Sequence, residues 1–436
     1  MPRHLSGWQT PCISTLVRPI KLVVVLTFSA LLSAPLSVAA PGASGRSTPN
    51  GLTLVSANAN GQAANWTSFD PAWGPNKSEL AFVSGAGNLA KGVTFGSAHR
   101  IFVKNLRTGA VTLVSSAKNG KPLTVDALSP DWSPDGSLIE FWTVDASGSY
   151  AGLYVKDLHT GSLTRIDSSA SGTPAIGDTH FVAWEGNSAI VLWSSATNIL
   201  PGVERPLRTG GHWYGHLYVK DLRNGKVSLL GEGTTSSSVP SYLGPVSLSP
   251  DGSKLAYLAA KPAAQEAFIS GTEEIYVRDL HSGNVKLIRD HDGHPARADS
   301  FEWSPGGRSL TFWSDDSNLV PGAGQGLYVV DVSSGKVKLL TAGQFAGWSW
   351  NPSGTEIALS RGPRLMGSWG GTQTLVMNVK THAVSTINVT TSRELGDGFG
   401  PGGPTWSPDG SHLAFVSNLA GASGNQVWQV FEKAVN

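Results

Sequence analysis

The chain has 436 residues, too many for one ordinary core, so it contains either several domains or one large repeat architecture. A net charge of +1 argues against a nucleic-acid binder, and a single Cys excludes an intrachain disulfide and a cysteine metal cluster. The 52 Gly and 26 Pro indicate many turns, while the 15 Trp exclude a disordered chain.

The N-terminal segment, residues 1–39, has the order of features found in a secretory signal. Basic residues without any acid come first, the apolar run 22–32 follows, and small residues end at Ala39. The apolar run is short for a membrane span, so cleavage after Ala39 is expected rather than retention as an anchor. Residues 40–50 are predicted to be a flexible linker.

The remainder of the chain contains one unit seven times. Each copy opens with an aromatic or apolar residue and a tight-turn signal such as Ser-Pro-Asp-Gly. The copies begin at Trp73, Trp132, Trp184, Leu248, Trp303, Trp350 and Trp406. Their spacing of 47 to 64 residues is typical of propellers and solenoids.

Within a unit, alternating apolar runs are separated by turn residues, and the fourth copy shows the pattern. An apolar run at 255–258 is followed by a variable loop, by a second run at 275–279, by a Gly turn at 281–283 and by a last run at 285–288. This pattern predicts antiparallel strands joined by hairpins, four to a propeller blade.

The sequence therefore predicts an all-β fold, a seven-bladed β-propeller of four-stranded antiparallel blades over residues 51–436. The blades are expected at about 65–117, 125–168, 176–232, 243–290, 299–341, 345–390 and 400–432 plus 51–57. The seventh copy lacks a fourth strand, and an orphan strand at 52–56 precedes the first copy. The N-terminal strand is therefore expected to complete the last blade against residues 427–431 and to close the ring.

The repeat resembles the WD40-like (PD40) repeats of the TolB family. The resemblance covers residues 51–436 and is carried by Trp-Ser-Pro-Asp-Gly at 406–410 and by Tyr-Val-x-Asp-Leu at 276–280. It implies a propeller and says little about function, because propellers host many functions. The family's six blades behind an α/β domain differ from the seven blades here, so a role in a Tol–Pal complex is not implied. The Asn-Leu-Val-Pro-Gly loop at 318–322 looks like a variant of exported bacterial propellers.

Long, variable loops between the second and third strands and between blades should share one face of the ring, opposite the tight turns. These loops are 85–99, 195–215, 259–273, 289–300 and 361–371. Binding sites concentrate in such loops on a rigid scaffold. We therefore expect the functional face at that mouth of the central channel.

Two loop clusters are candidate ligand-binding sites. The first offers imidazoles and aromatic rings, which stack on sugars or peptide side chains; its residues are His212, Trp213, Tyr214 and His216. The second combines carboxylates and imidazoles; its residues are Asp290, His291, Asp292 and His294, with Asp299 nearby. Their spacing matches no named metal motif, and both clusters are also compatible with ordinary solvated loops.

Several acids recur in register and are expected to be structural. Those in the Pro-Asp-Gly turns are Asp135, Asp251 and Asp409, and those that follow the third strand are Asp157, Asp221, Asp279 and Asp331. Three other acids sit beside the inner-strand Trp positions and could approach the channel: Asp70, Asp131 and Glu302.

The sequence is most compatible with a secreted or periplasmic propeller that binds a protein or a polysaccharide of the cell envelope without catalysis. We expect a monomer with no cofactor, no metal, no catalytic residue, no nucleic-acid partner and no membrane span after signal cleavage. The alternative is a propeller hydrolase or polysaccharide lyase that uses channel His, Arg and carboxylate residues. No Gly-x-Ser-x-Gly elbow and no Gly-Lys-Ser/Thr phosphate loop occurs in the sequence.

Overall fold

The computed structural model describes residues 51–435 except 97, 178, 204–207, 210–211, 231–238, 242–245, 260–273, 299, 317, 363, 366–367, 370–372, 390–402 and 418–426, and gives only the backbone for parts of several strands. The predicted export signal and linker lie outside this part of the chain. Every regular element in it is a β-strand. It therefore contains no helix that could cross a lipid bilayer.

The strands form seven antiparallel blades, each ordered from the channel outwards. Blade 1 contains Ser68–Trp73, Glu79–Ser84, Arg100–Asn105 and Val111–Leu113. Blade 2 contains Asp126–Trp132, Leu138–Val144, Tyr150–Asp157 and Leu163–Arg165. Blade 3 contains Thr179–Glu185, Ala189–Ser194, His212–Asp221 and Val227–Leu229, with the short strands Arg208–Thr209 and Val239–Ser241 added to its third strand.

The remaining blades follow the same order. Blade 4 contains Val246–Leu248, Lys254–Ala259, Glu274–Asp279 and Val285–Leu287. Blade 5 contains Ser300–Trp303, Ser309–Ser314, Gly326–Asp331 and Val337–Ala342. Blade 6 contains Phe345–Trp350, Glu356–Arg361, Gln373–Asn378 and Val384–Val389, with a side hairpin of Arg364–Leu365 and Ser368–Trp369. Blade 7 contains Thr405–Trp406, His412–Ser417, Gln429–Ala434 and Leu52–Leu54.

The N-terminal strand closes the ring, as predicted. Leu52 pairs with Lys433 and Leu54 with Phe431, and the Val55 N–H donates to the Val430 carbonyl at 2.9 Å. The first strand of blade 1 in turn packs against blade 7. The seven-bladed all-β architecture is thereby confirmed.

The hydrophobic core consists of sheet-to-sheet boundaries rather than one central cluster. Alternate side chains of each blade face the blade before it and the blade after it. Phe141, for example, packs with blade 1, whereas Val155 packs with Ile190 and Leu192 of blade 3. The first strand of each blade lies at the inner edge of its sheet, next to the central channel.

Indole groups link neighbouring inner strands. In four blades, the Trp that ends the inner strand donates its Nε1–H to a backbone carbonyl of the neighbouring blade before it in the ring. The acceptor is the residue immediately before the equivalent Trp position in that blade. The pairs are Trp73 with Thr405, Trp132 with Ala72, Trp303 with Ser247 and Trp406 with Ser349, at 3.0–3.2 Å. Repetition of Trp at this position therefore has a structural cause.

Buried lysines tie the third strands of blades 1, 2 and 3 to the hairpin that precedes each blade. Lys104 donates to the carbonyls of Ala57 and Gly109 at 2.9 and 2.8 Å. Lys156 and Lys220 occupy the equivalent places in blades 2 and 3. Burial lowers the pKa of all three amines, to about 8 for Lys220.

Candidate functional site

The first predicted cluster lies in a strand and not in a loop. His212–Asp221 is one ten-residue strand of blade 3, and the alternation of large side chains that sequence analysis assigned to a loop is strand alternation. Gly215 makes this path possible, because a Cβ there would lie 2.2 Å from the Trp193 ring. The strand therefore carries the cluster into the sheet.

Of the four residues of that cluster, only His216 has a side chain that the structure describes. His216 is buried, pairs with Ser194 and packs edge-on against Tyr218 with ring centroids 6.2 Å apart. This side chain contributes to packing, and its contact with a ligand stays a prediction. For His212, Trp213 and Tyr214 the structure describes the backbone alone, so their contact with a ligand stays a prediction.

The second predicted cluster forms the tip of a hairpin between blades 4 and 5. Asp290 is buried and accepts the His294 N–H at 2.7 Å. His291 and Asp292 are exposed, and the His291 Nδ1 lies 3.0 Å from the Asp292 Oδ1. The same hairpin recurs between other blades, closed by Ala57 with Ala63, Ser116 with Pro122, Ser168 with Pro174 and Arg289 with Pro295. The cluster thus lies on a hairpin that recurs between blades, and its binding role stays a prediction.

Metal-ligating side chains are not grouped in the part of the chain that the structure describes. No set of three or more His, Cys, Asp or Glu residues there is arranged to hold a metal ion. Asp299 falls outside that part.

The inter-blade hairpins and the loops after the second strands meet on one face of the ring. Asn88 donates its amide to the Ala63 carbonyl at 2.8 Å and accepts the Asn65 N–H at 3.0 Å. Asn198 makes the equivalent two bonds to the hairpin before blade 3, at 2.8 and 2.7 Å. The loops at 88–92 and 198–202, each of which begins with Asn and ends with Gly, are therefore locked to the preceding hairpin.

An aromatic pair, formed by the half-buried Trp66 and the exposed Phe95, lies on this face. The two rings meet edge to face with centroids 5.1 Å apart, and Phe95 is 56% exposed. Glycines hold the pair in place, because a Cβ on Gly85 would lie 2.6 Å from the Trp66 ring and one on Gly87 would lie 2.6 Å from the Phe95 backbone. The loop at 85–96 is thus built around the rings.

The aromatic pair is particular to blade 1. The position of Trp66, two residues before the inner strand, is occupied by Gly177 before blade 3 and by Ala298 before blade 5. The pair was not predicted from the sequence because its two rings are 29 residues apart. The one indication in the sequence was a Trp at position 66, where the equivalent positions of other copies hold small residues.

A polar group lies where blades 1 and 2 meet, with the His99 ring packed against Phe69 at a centroid distance of 5.5 Å. Asp126 accepts the His99 N–H at 2.6 Å, and the His99 ring nitrogen lies 3.3 Å from the same oxygen. Burial favours a higher pKa for Asp126, but the bonds from His99 and the charge of Arg100 outweigh it and lower the pKa overall. This carboxylate stays ionised and orients the imidazole.

Backbone bulges occur next to this group in the inner strands of blades 1 and 2. Asp70 and Ser129 have φ values of 50° and 51°, and the Ser129 hydroxyl donates to the Asp70 carboxylate at 3.3 Å. Each residue precedes a proline, which disfavours such a backbone, so the two bulges store strain. Bulges of this kind re-aim side chains near functional sites.

Two carboxyl groups beside the inner-strand Trp positions have raised pKa values. Asp131 is open to the channel although protein surrounds it, and burial raises its pKa to about 7 against the opposing Trp132 N–H. Burial also raises the pKa of Glu302 to about 8, against the N–H bond from Trp350. Of the three acids that sequence analysis placed near the channel, these two are therefore partly or largely protonated at neutral pH.

Comparison with known proteins shows the fold alone. No protein-family model matches the chain, and no curated protein matches it. Among solved structures, an oligogalacturonate lyase in complex with manganese is similar with a TM-score of 0.59 and 15% identity, over 91% of this chain and 99% of that one. An oligogalacturonate lyase from Vibrio parahaemolyticus is similar with a TM-score of 0.57 and 15% identity, over 90% and 93%.

TolB from Acinetobacter baumannii matches with a TM-score of 0.41 and 16% identity, over 78% of this chain and 76% of that one. This value is too low to support an argument from structure. The propeller implied by the TolB-like repeats is thus established by the blades themselves, and membership of the repeat family stays a prediction.

Proposed function

We propose that the protein is an exported, non-catalytic propeller that binds a polysaccharide of the cell envelope at the face where its inter-blade hairpins lie. The observation that carries this proposal is the aromatic pair of the half-buried Trp66 and the exposed Phe95. Aromatic faces provide large, rigid contact area at a small cost in conformational entropy. The glycine-lined loop fixes the pair before a ligand arrives, which favours binding.

Two further observations support a sugar ligand. His99, Arg100 and Asp126 supply hydrogen-bonding groups at the boundary of blades 1 and 2, and the first two follow shortly after Phe95 in the chain. The two similar structures named above are lyases of a galacturonate oligomer by their descriptions, and at 15% identity they support a substrate class only by analogy. The signal-like residues 1–39 support export.

The test is binding of residues 40–436 to a panel of purified envelope polysaccharides, measured by affinity electrophoresis and calorimetry. We expect Phe95→Ala to weaken binding by about tenfold, or ~1.4 kcal/mol. The matched control is Val384→Ala, because Val384 is 52% exposed but lies on an outer strand. A Phe95→Ala protein that binds as tightly as the Val384→Ala protein would contradict the proposal.

The predicted cluster on blade 3 is tested in the same assay. Replacement of both Trp213 and Tyr214 by Ala should also weaken binding if these rings reach the ligand. Normal binding combined with early unfolding would show that they are packing residues.

A second candidate function is cleavage of a polymer in the channel. It is favoured by Asp131 and Glu302, since a carboxyl group that keeps its proton near neutral pH can act as a general acid. Incubation with uronate-containing and neutral polysaccharides distinguishes the cases. A lyase releases unsaturated, ultraviolet-absorbing ends, a hydrolase releases reducing ends, and the binding protein releases neither.

A further inference from the structure

One boundary between blades departs from the repeat. The residue that precedes the inner-strand Trp position pairs with a residue of the second strand, and that partner is small in most blades. It is Ala in four of them, namely Ala81, Ala256, Ala358 and Ala414. Blade 3 has Val191 and blade 5 has Thr311 at this place. Blade 2 has Glu140.

Glu140 is buried, and its cross-strand neighbour Asp131 is a second acid that is exposed towards the channel. It pairs directly with Asp131, and such cross-strand neighbours bring their side chains together on the same side of the sheet. Glu140 is only 2% exposed, and its Oε1 has no hydrogen-bond partner. The same side of blade 2 carries Val155, which packs against blade 3. Both carboxyl groups therefore lie at the boundary of blades 2 and 3.

The indole-to-carbonyl hydrogen bond found at four of the other boundaries is missing at this one. By the pattern of the ring, the Trp184 Nε1–H would donate to the Asp131 carbonyl. The structure instead leaves Trp184 Nε1 buried without a partner, although the ring packs in the same apolar cluster. An acid replaces a small residue at the point where an inter-blade hydrogen bond has been lost.

We propose that Asp131 and Glu140 act as one coupled carboxyl pair that retains a proton at the boundary of blades 2 and 3, and that loss of this proton to the channel loosens the boundary. Two carboxylates side by side in a poorly solvated place cannot both ionise without mutual repulsion. Asp131 gives the pair access to water in the channel, while Glu140 is screened from it. The device rests on strand register and packing, and it is independent of the function proposed above.

The other charged groups around the pair do not neutralise it. Tyr150 also faces Glu140, but its hydroxyl donates to Asp167, which Arg165 already binds with two hydrogen bonds of 2.9 Å. On blade 3, the facing side chains are apolar, His180 packs on Trp193 at the other side, and Glu185 is exposed. Burial first, and then the charge of Asp131, raise the pKa of Glu140 well above its usual range.

The direction of the pH effect follows from these raised values. Below about pH 4, the ordinary carboxyl range, both groups are protonated in the folded and the unfolded chain. As the pH rises to about 7 and beyond, the unfolded chain releases protons that the folded chain retains, so the boundary loses stability. The loss is greatest once the pair itself ionises.

The test is hydrogen exchange of the full propeller, corrected for the intrinsic pH dependence of exchange. In the wild-type protein, we expect protection of peptides from 126–144 and 179–194 to fall by about tenfold between pH about 5 and about 9, whereas peptides from 68–84 serve as the reference. Glu140→Gln should abolish the fall, because the amide keeps the shape without the charge. Glu302→Gln, at another boundary, should leave the fall unchanged.

Three results would overturn the proposal. The wild-type protein could show no local pH dependence, or the Glu140→Gln protein could show the same fall as the wild type. Alternatively, calcium or magnesium could restore protection at high pH in the wild type and not in Glu140→Gln, which would make the pair a cation site. If Glu140→Gln does not fold, Glu140→Ala gives the same decision, since four other blades have Ala there.

Discussion

Aspartates in the Pro-Asp-Gly turns shape the backbone and do not form a site. Asp251 accepts the Ser249 hydroxyl at 2.6 Å and the Ser253 N–H at 3.0 Å, and Asp135 and Asp409 make the same contacts in their own turns. The aspartates after the third strands similarly accept backbone N–H groups two and three residues on, as Asp157 does from His159 and Thr160. The structural role predicted for both sets agrees with these contacts.

The pH dependence of this turn is a test at the scale of one residue. Hydrogen bonds from Ser249 and Ser253 lower the pKa of Asp251 to about 2. The stabilisation is therefore present above the ordinary value of about 4 and is lost as the pH falls to about 2. Asp251→Ala should lower the free energy of unfolding at pH 7 by about 0.5–1 kcal/mol, measured by urea titration, and leave polysaccharide binding unchanged. Weaker binding without any change in stability would contradict this assignment.

Inner strands are joined by side chains as well as by packing. Each of these indole hydrogen bonds connects two blades through a backbone carbonyl of the neighbouring inner strand. The substitution of Leu248 in blade 4 and the unpartnered indole of Trp184 show that the set is incomplete around blade 3. Blade 3 is thus attached mainly by apolar contacts.

Two matched substitutions measure the value of one such bond. Trp406→Phe removes the donation to the Ser349 carbonyl and should destabilise the fold by about 1–2 kcal/mol, beyond any cost of the smaller ring. Trp184→Phe should cost less, because its N–H has no partner to lose. Thermal melts of both variants at one pH give the comparison. Equal losses would show that the bonds do not contribute.

The repeat made the strands and blades predictable. It did not make the contacts between them predictable. Turn signals recur in every copy and report local backbone, so the strands, the blade number and the closing strand could be derived. Period-two alternation does not tell which side of a strand faces the next blade. The position of Glu140 beside Asp131, the burial of His216 and the pairing of Trp66 with Phe95 therefore needed coordinates. The site residues that sequence reasoning favoured lay in the longest variable segments, where local pattern carries least information.

The whole ring depends on contacts between its first and last described strands. Leu52 is buried in the boundary of blades 6 and 7 with Trp406 and Phe431. The Ser56 side chain bonds to Gln429 and accepts the Val430 N–H, across 374 residues of sequence. The closing strand therefore supplies both apolar and polar contacts to blade 7.

Removal of residues 51–57 should leave the seventh blade with an exposed edge, so that the protein aggregates or melts at a much lower temperature. The point substitution Leu52→Ala should cost about 2–5 kcal/mol, whereas Thr53→Ala on the same strand should cost little. Light scattering and thermal melts measure both. An unchanged melting temperature for the truncated protein would show that the N-terminal strand is dispensable.

The closing strand also sets an order of events. A ribosome produces Leu52 long before it produces Lys433, and a chain that moves through a translocation channel from its N-terminus arrives in the same order. The first segment to appear is therefore without its partner until nearly all blades exist. A chain that stops early stays an open arc with an unpaired edge at each end and is an easy target for proteases. Only a chain that has reached the last strand of blade 7 can therefore close the ring. The strand that closes it, Leu52–Leu54, is synthesised before any of the blades.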